Sequence, residues 1–283
     1  MSNSPINLSI LSEEDIKNIE TEAYKRLGEY RKTNQIIREE IFTILEKNCT
    51  VIYYPIADNE ICAFIVKHGV KYFTIINTAI PLEKQIFAAA HELYHLWYTK
   101  DSWEILRNVI LDGQLNDQIA IDEVKANRFA AELLVPTQLI LSELGLRNIK
   151  RNVVELKDVV ELMDVFLMPY KTIVRRLLEV EYINEEKCRQ LLVISDRNEN
   201  EGVILWQKRL GLCQRNNEKT NRKKFGNLID ISLKLFEKKQ ITYDKLAHLL
   251  KLAEQLPEDY NIHDQEIDLP SEEEILKFME EED

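Results

Sequence analysis

The sequence predicts an α+β fold that is mostly helical, with a small antiparallel sheet packed on helices and a helical C-terminal region. Most of the chain shows apolar residues spaced three to four positions apart, which is the period of an amphipathic helix. Three short runs between positions 49 and 77 are instead rich in Val, Ile, Tyr and Phe, as β-strands are. Only 7 Gly and 7 Pro occur among 283 residues, so tight turns are few, and a hydrophobic content of 45% can build a sizeable core.

The first half of the chain predicts two helices, three strands and two further helices, in that order. Ser12 precedes three acidic residues and begins a helical region over 13–48 that is interrupted near position 33. The runs TVIYYPI, ICAFIVK and VKYFTII then predict an antiparallel meander, because polar turn residues separate them. Helices follow over about 82–99 and 116–134, and the second of them ends before Pro136.

The rest of the chain predicts further helices, with GVILW as an isolated strand and a basic stretch as a solvated loop. The basic stretch, 207–224, holds seven Lys or Arg and one Glu. We expect five segments: N-terminal helices at 1–48, a core of sheet and helices at 49–150, a helical subdomain at 151–195, a helical region with the basic stretch at 196–257, and an acidic tail at 258–283.

The net charge of −12 is concentrated in the acidic tail. Residues 258–283 contain twelve acidic residues and one Lys, so the remaining 257 residues have a net charge of only −1. A near-neutral body with few aromatic residues in its basic stretch does not predict direct nucleic-acid binding. The tail could contact either the basic stretch or a partner, and the sequence leaves both open.

The cysteines, the N-terminus and the hydropathy pattern indicate the compartment. The four cysteines form no CxxC pair, which gives no support to a zinc ribbon or a thioredoxin-type site, so buried, reduced thiols are expected. The N-terminus lacks a basic region followed by an apolar one, and no run of 18 apolar residues occurs. We therefore expect a cytoplasmic protein with no membrane-spanning helix.

The segment that carries chemistry is His91-Glu92-Leu93-Tyr94-His95. Helical residues at i and i+4 lie on one face, so His91 and His95 can bind a single metal ion. Glu92 is rotated by about 100° from His91, where it can reach a water on that ion without being a ligand. Zinc held by two His and a carboxylate keeps a position for a water of pKa about 7, for which Glu92 would be the general base. Mn²⁺ would suit similar ligands.

An amphipathic helix with two structural histidines is the alternative for this motif. With 5 His in 283 residues, about 0.09 pairs at i and i+4 are expected by chance, and at most about 0.015 with an acid after the first. The surrounding residues form the apolar stripe of a buried helix. Since two buried imidazoles are costly unless something satisfies them, a metal ion is the better explanation.

The third ligand is expected in the helix IDEVKANRFAAELLVP, which starts 26 residues after His95. Glu123 and Asn127 share one face of this helix, and small Ala130 on that face would let two helices approach closely. Asn127 can accept a hydrogen bond from the free ring nitrogen of a liganding His. Asp122 is the competing carboxylate, but it points about 100° away and suits the helix N-terminus. An ordinary acid at a helix start is the alternative for Glu123.

The two segments together resemble the ImmA/IrrE family of bacterial zinc metallopeptidases. The family pattern is a strand that ends in Asn, an apolar helix with HExxH, and then ExxAN-x-FAAxLLxP. These features fall here at Asn77, at 91–95 and at 123–136. The resemblance covers about 40–185, and it includes FLMPYKTIVRRLLEVEYI (166–183), which is similar to a helix-turn-helix-like element that follows the catalytic core.

The resemblance implies a zincin-like metallopeptidase core, with His91, His95 and Glu123 as metal ligands and Glu92 as the catalytic acid and base. It also implies a zinc-dependent endopeptidase that cleaves a regulatory protein, a repressor-type DNA-binding regulator, in stress circuits or mobile elements. Tyr94 departs from the pattern, because the family usually has Gly there, and a bulky ring must fit against a neighbouring element.

Two other functions compete with a peptidase. A non-catalytic, metal-stabilised binding or sensor module could sequester a transcriptional regulator, although such a module has no need of Glu92. A DNA-binding regulator could use residues 151–183, although the near-neutral body does not favour it.

Overall fold

The protein divides into two compact units, Met1–Gly226 and Asn227–Asp283, in the computed structural model. The structure describes residues 11–99, 117–212 and 218–263. The α+β, mostly helical fold class predicted from the sequence is confirmed. The predicted boundaries of the five smaller segments stay a prediction.

The helices and strands follow the predicted order, with differences at the sheet and near residue 202. The helices are α1 (Glu13–Glu29), α2 (Glu40–Asn48), α3 (Leu82–Tyr94), α4 (Asp117–Leu134), α5 (Thr137–Leu146), α6 (Leu156–Phe166), α7 (Tyr170–Glu179), α8 (Glu185–Leu192), α9 (Gly202–Arg209), α10 (Leu228–Glu237) and α11 (Tyr243–Leu252). The strands are β1 (Thr50–Tyr54), β2 (Ala63–His68), β3 (Lys71–Asn77) and β4 (Lys224–Phe225). A π turn, His95–Thr99, continues α3, and a 3-10 turn, Pro257–Tyr260, follows α11.

The sheet is mixed, with the strand order β2-β3-β1-β4. β2 and β3 form the predicted antiparallel hairpin, but β1 pairs with β3 in parallel, so the antiparallel meander is wrong in this part. Burial explains the order. β1 and β3 carry buried side chains such as Tyr53 and Ile76, whereas β2 is mostly exposed and takes an edge position.

The loop between β1 and β2 is fastened to the sheet by Asn77, the last residue of β3. Its side-chain amide donates to the carbonyls of Asp58 and Ile61, at 3.0 and 2.8 Å. Its carbonyl oxygen accepts from the backbone N–H groups of Ile56 and Ala79, at 3.0 and 2.9 Å. All four hydrogen-bonding positions of this buried amide are therefore used, which is what burial of an Asn requires.

The basic stretch is not a free loop throughout its length. It begins inside α9 and ends in β4. β4 pairs antiparallel with β1, on the side of β1 that faces away from β3. Between them, the guanidinium of Arg222 lies 3.5 Å from the ring centroid of Tyr53, and Asn221 donates its N–H to the carbonyl of Thr78 at 2.9 Å. The described residues 218–223 are mostly exposed, but they are held along the sheet. Residues 213–217 lie outside the described part of the chain.

The segment GVILW begins α9, so the predicted isolated strand is wrong. Gly202 has a φ of 64°, and a Cβ atom there would lie 2.0 Å from the carbonyl oxygen of Ser195. Only glycine fits this close approach, and Val203 then donates its N–H to that same oxygen. The apolar run that resembles a strand supplies the buried face of a short helix, with Val203 and Ile204 in the core.

Helix α3 lies at the centre of the first unit. It packs on the strands on one side and on α4 on another, and α1 also packs on α4. Helices α6 and α7 lie in the segment predicted to be helix-turn-helix-like, and that assignment stays a prediction. Helix α7 buries Ile173, Val174, Leu177 and Leu178, and among its residues only Arg175 is exposed. A helix buried in this way is not available to enter a DNA groove, which weakens the DNA-binding alternative.

The second unit contains α10 and α11, which pack against each other and bury Leu246 and Leu250. Of the acidic tail, residues 264–283 lie outside the described part of the chain, so the proposal that the tail folds back is untested. Over the described ranges, no single helix has the length and apolar composition that crossing a bilayer requires.

Candidate metal centre

Helix α3 and the π turn that continues it present two imidazoles on one face. Leu93 and the three successive residues Ala88–Ala90 are buried, which fixes α3 in the core and sets the direction in which His91 and His95 point. The two Nε2 atoms lie 3.1 Å apart, and the ring centroids lie 4.9 Å apart. The i and i+4 spacing read from the sequence therefore brings both rings to one point.

Glu123 on α4 completes the group. Its Oε2 atom lies 3.1 Å from Nε2 of His91, and its Oε1 atom lies 3.3 Å from Nε2 of His95. Helices α3 and α4 pack against each other, and Ala90 on α3 and Ala130 on α4 are both fully buried, so small side chains leave room for a close approach. About half of the Glu123 side chain is exposed, whereas both imidazoles are largely buried, so the group opens to solvent on the side of α4.

The spacing of these three side chains fits a tetrahedral metal ion. Bonds of about 2.0–2.1 Å to a tetrahedral ion place neighbouring ligand atoms about 3.3 Å apart. The two Nε2 atoms are 3.1 Å apart, Oε2 of Glu123 lies 3.1 Å from that of His91, and Oε1 lies 3.3 Å from that of His95, so each contact is close to this value although Glu123 uses both oxygens. His91, His95 and Glu123 can therefore hold a metal ion, and their oxygen and nitrogen donors suit zinc or a similar divalent ion. Asp122, the competing carboxylate, is not in this group.

The other ring nitrogen of each His also has a partner. Nδ1 of His91 lies 3.1 Å from Oδ1 of Asn127, at the position that the sequence predicts for this contact. Nδ1 of His95 lies 3.0 Å from Oγ1 of Thr99, a residue that the sequence analysis missed. The available signal was its place four residues after His95, one turn further along the same face.

Glu92 lies next to the group and is buried, with 8% of its surface exposed. Burial raises the pKa of Glu92, and the neighbouring His91 and His95 partly oppose that rise. A raised pKa makes this carboxylate a better proton acceptor than an exposed one, as a general base requires. The structure thus brings Glu92 to the place that the sequence predicts, and its catalytic role stays a prediction.

The charges of the other site residues are strongly coupled. Hydrogen bonds from His91 and His95 hold the pKa of Glu123 well below its ordinary value. Burial lowers the pKa of His91, but the hydrogen bond to Glu123 and the charge of Glu92 outweigh burial, so that the pKa of His91 is raised. The pocket is therefore an environment that stabilises positive charge between the ring nitrogens and the carboxylate.

Tyr94, the departure from the family pattern, is buried beside the metal group. Its ring packs against the rings of Phe129 and Tyr98, with centroids 5.5 and 5.2 Å apart, and only 8% of its surface is exposed. It also lies edge-on to the ring of His95, with centroids 5.7 Å apart. Tyr94 thus fills the contact of α3 with α4 and supports one face of the His95 ring.

Comparisons with known proteins agree with the motif. The family model for the IrrE N-terminal-like domain, peptidase M78, matches residues 45–178. No curated protein sequence matches the chain. A solved structure described as a Mycobacterium tuberculosis transcriptional regulator is similar at 16% identity with a TM-score of 0.41, over 57% of this chain and 46% of that one. The chain thus spans less than half of that protein, and so distant a likeness supports no functional argument. The match over residues 45–178, slightly under half of the chain, supports the resemblance of this region to the ImmA/IrrE family.

Proposed function

We propose that this protein is a zinc-dependent endopeptidase of the ImmA/IrrE type, which hydrolyses a peptide bond in a regulatory protein. The observation that carries the proposal is the convergence of His91, His95 and Glu123 beside buried Glu92, within a domain of a peptidase family. A site that only binds metal has no use for a buried carboxylate with a raised pKa next to its ligands.

The residues have separate tasks in this reaction. Zinc, when held by His91, His95 and Glu123, supplies Lewis acidity that polarises the scissile carbonyl and acidifies a water molecule. Glu92 accepts a proton from the water whose oxygen bonds to the carbonyl carbon. The same carboxyl then gives that proton to the amide nitrogen as the C–N bond breaks, so one water is consumed and an acid and an amine are released.

The exposed edge of the sheet offers a place for an extended substrate. β2 is an edge strand, and no described residue pairs with its outer side. An extended peptide can add to such an edge through backbone hydrogen bonds, and the half-exposed side chains of Phe64 and Val66 would lie beside it. β3, the strand directly before α3, is not available for this role, because it is paired on both sides.

The class of substrate rests on the family resemblance. A repressor-type DNA-binding regulator is the substrate that the family implies, and the near-neutral body and the buried α7 give no support to direct DNA binding by this chain. The alternative is a metal-stabilised module that captures the same regulator without cutting it.

Metal analysis combined with cleavage assays separates the two functions. The wild-type protein and Glu92→Gln are purified, their zinc content is measured, and each is incubated with repressors encoded in the same genome. We expect equal zinc content, with cleavage of a repressor by the wild type alone. Capture of a repressor by both proteins without cleavage would instead establish the binding module, and absence of zinc from both would refute the metal site.

A further inference from the structure

Thr99 makes two contacts with one residue, His95. Its hydroxyl oxygen is 3.3 Å from the backbone carbonyl of His95, to which it donates, and 3.0 Å from Nδ1 of the same residue. A carbonyl oxygen can only accept, whereas a hydroxyl can donate one hydrogen bond and accept another. The Thr99 hydroxyl can therefore donate to the carbonyl and accept a hydrogen from Nδ1 at the same time.

A metal ion bound through Nε2 of His95 requires the neutral ring to carry its hydrogen on Nδ1. The hydroxyl oxygen of Thr99, 3.0 Å from Nδ1, can accept that hydrogen. Nε2, the atom that lies 3.1 Å from Nε2 of His91, is then left with its lone pair for the ion. The hydroxyl thus favours the ring form that can bind a metal ion in the group.

Asn127 can hold the ring of His91 in the same form, with a side-chain amide in place of a hydroxyl. Its side-chain carbonyl oxygen can only accept, and it lies 3.1 Å from Nδ1 of His91. With a metal ion bound, both rings would therefore present a free Nε2 to the ion beside Glu123. The two acceptors come from different helices, since Asn127 is on α4 and Thr99 ends the π turn after α3.

The backbone between His95 and Thr99 forms a π turn. A π turn is rare, usually occurs as a single turn within an α-helix, and recurs at functional sites. This one runs from His95 to Thr99, so its first and last residues are the two that are in contact. Thr99 is itself buried, which protects the contact from competing water.

We propose that Thr99 is a positioning residue that holds His95 in the ring form and orientation needed to bind the metal ion, as Asn127 does for His91. This inference rests on the proposed metal site. It adds a residue that lies outside the HExxH and ExxAN segments, and it assigns Thr99 a role through His95, without contact to the substrate.

The test is the zinc affinity of the full-length protein, measured by competition with a chromophoric chelator. Thr99→Val has nearly the same shape as Thr99 but no acceptor, and we expect its zinc affinity to fall by about 10–100-fold. Thr99→Ser keeps the hydroxyl and should recover most of the affinity. Thr21 is the matched control, because its hydroxyl also donates to the carbonyl four residues earlier but contacts no imidazole. Thr21→Val should leave zinc affinity unchanged.

A second readout can be taken on the wild type and then compared with the variant. The chain has only five histidines, so imidazole N–H signals of the zinc-loaded protein can be resolved by ¹⁵N NMR. We expect one slowly exchanging N–H at Nδ1 of His95 in the wild type, and faster exchange of that hydrogen in Thr99→Val.

The outcomes distinguish this inference from the proposed function. Failure of the wild type to bind zinc would overturn the metal site itself. Tight zinc binding by the wild type, with equal affinity in Thr99→Val, would overturn the role of Thr99 alone. If Thr99→Val does not fold, an unprotected Nδ1 hydrogen on His95 in the wild type would still overturn the inference, and a protected one together with weakened zinc binding by Asn127→Leu would support it.

Discussion

The buried charge network around Arg176 gives the most demanding test of how α4 is held in place. Arg176 is fully buried on α7, with none of its surface exposed. Its guanidinium donates to the carbonyl of Val135 at 2.9 Å, to Oγ1 of Thr137 at 2.7 Å, to Glu179 at 3.0 Å, and to Glu132. Because Val135 directly follows the end of α4, this one side chain fixes the helix that carries Glu123.

The substitution Arg176→Met keeps an unbranched side chain and removes the charge and all of these donors. Glu132 and Glu179 then remain in largely buried positions with Arg128 as the shared cation, since Arg128 contacts Glu179 and lies 3.9 Å from Glu132. Removal of one partner from a buried ionic network costs about 3–5 kcal/mol, because it leaves an uncompensated charge. The ratio of folded to unfolded protein should fall by roughly a hundred- to a few thousand-fold.

Urea unfolding followed by tryptophan fluorescence measures this change. All three Trp residues lie in the first compact unit, so the signal reports that unit. Arg175→Met is the matched control, because Arg175 is the exposed neighbour on the same helix, and it should change stability by less than about 0.5 kcal/mol. The double variant Arg176→Met/Glu132→Gln should recover part of the loss. A loss below about 1 kcal/mol in Arg176→Met would refute the reasoning.

Three further predictions concern the site and the start of α3. Glu92→Gln should retain zinc while peptide hydrolysis falls by about 10²–10⁴-fold, and a variant with unchanged turnover would exclude Glu92 as the base. Zinc should raise the melting temperature of the wild type but not of His95→Ala or Glu123→Ala, and chelation should reverse the rise; equal shifts would contradict the ligand set. Burial raises the pKa of Glu83 to about 7 from an ordinary value of 4.5, in spite of its contact with Arg197. The protonated form is thus favoured by folding, so this stability is complete below pH 4.5 and is lost as the pH rises to about 7, by about 3 kcal/mol at most. The difference in unfolding free energy between wild type and Glu83→Gln, measured across that range, should show this slope, and a constant difference would refute it.

The candidate site was largely predictable because its chemistry is local. His91 and His95 are separated by one helical turn, and a helix that is buried on one side leaves little freedom in where they point. Glu123 and Asn127 are likewise one turn apart, and the small residues between α3 and α4 indicate close approach. Thr99 was not predicted, because its one signal, a place four residues after His95, is weak: a threonine near the end of a helix is common.

The strand pairing in the sheet was not fully predictable from the sequence. Each strand of the first half was recognised from its composition, but the pairing of β1 with β3 in parallel depends on which strands bury both faces. The sequence of α9 predicts a strand, because its apolar run is short and a short apolar run shows no clear helical or strand period. Only the contact between Gly202 and Ser195 shows why the chain turns there.

The amino-acid sequence by itself determined the two ligand-bearing helices, the order of His91, Glu92 and His95 on one of them, and the concentration of negative charge after residue 258. These are properties of nearest neighbours and helical turns, so they need no knowledge of the rest of the chain. The tertiary structure decided the contacts between residues far apart in sequence: the closure of the metal group by Glu123, the support of His95 by a π turn, and the network that ties α7 to the end of α4. Such contacts follow from how buried surfaces fit together, which is a property of the whole chain.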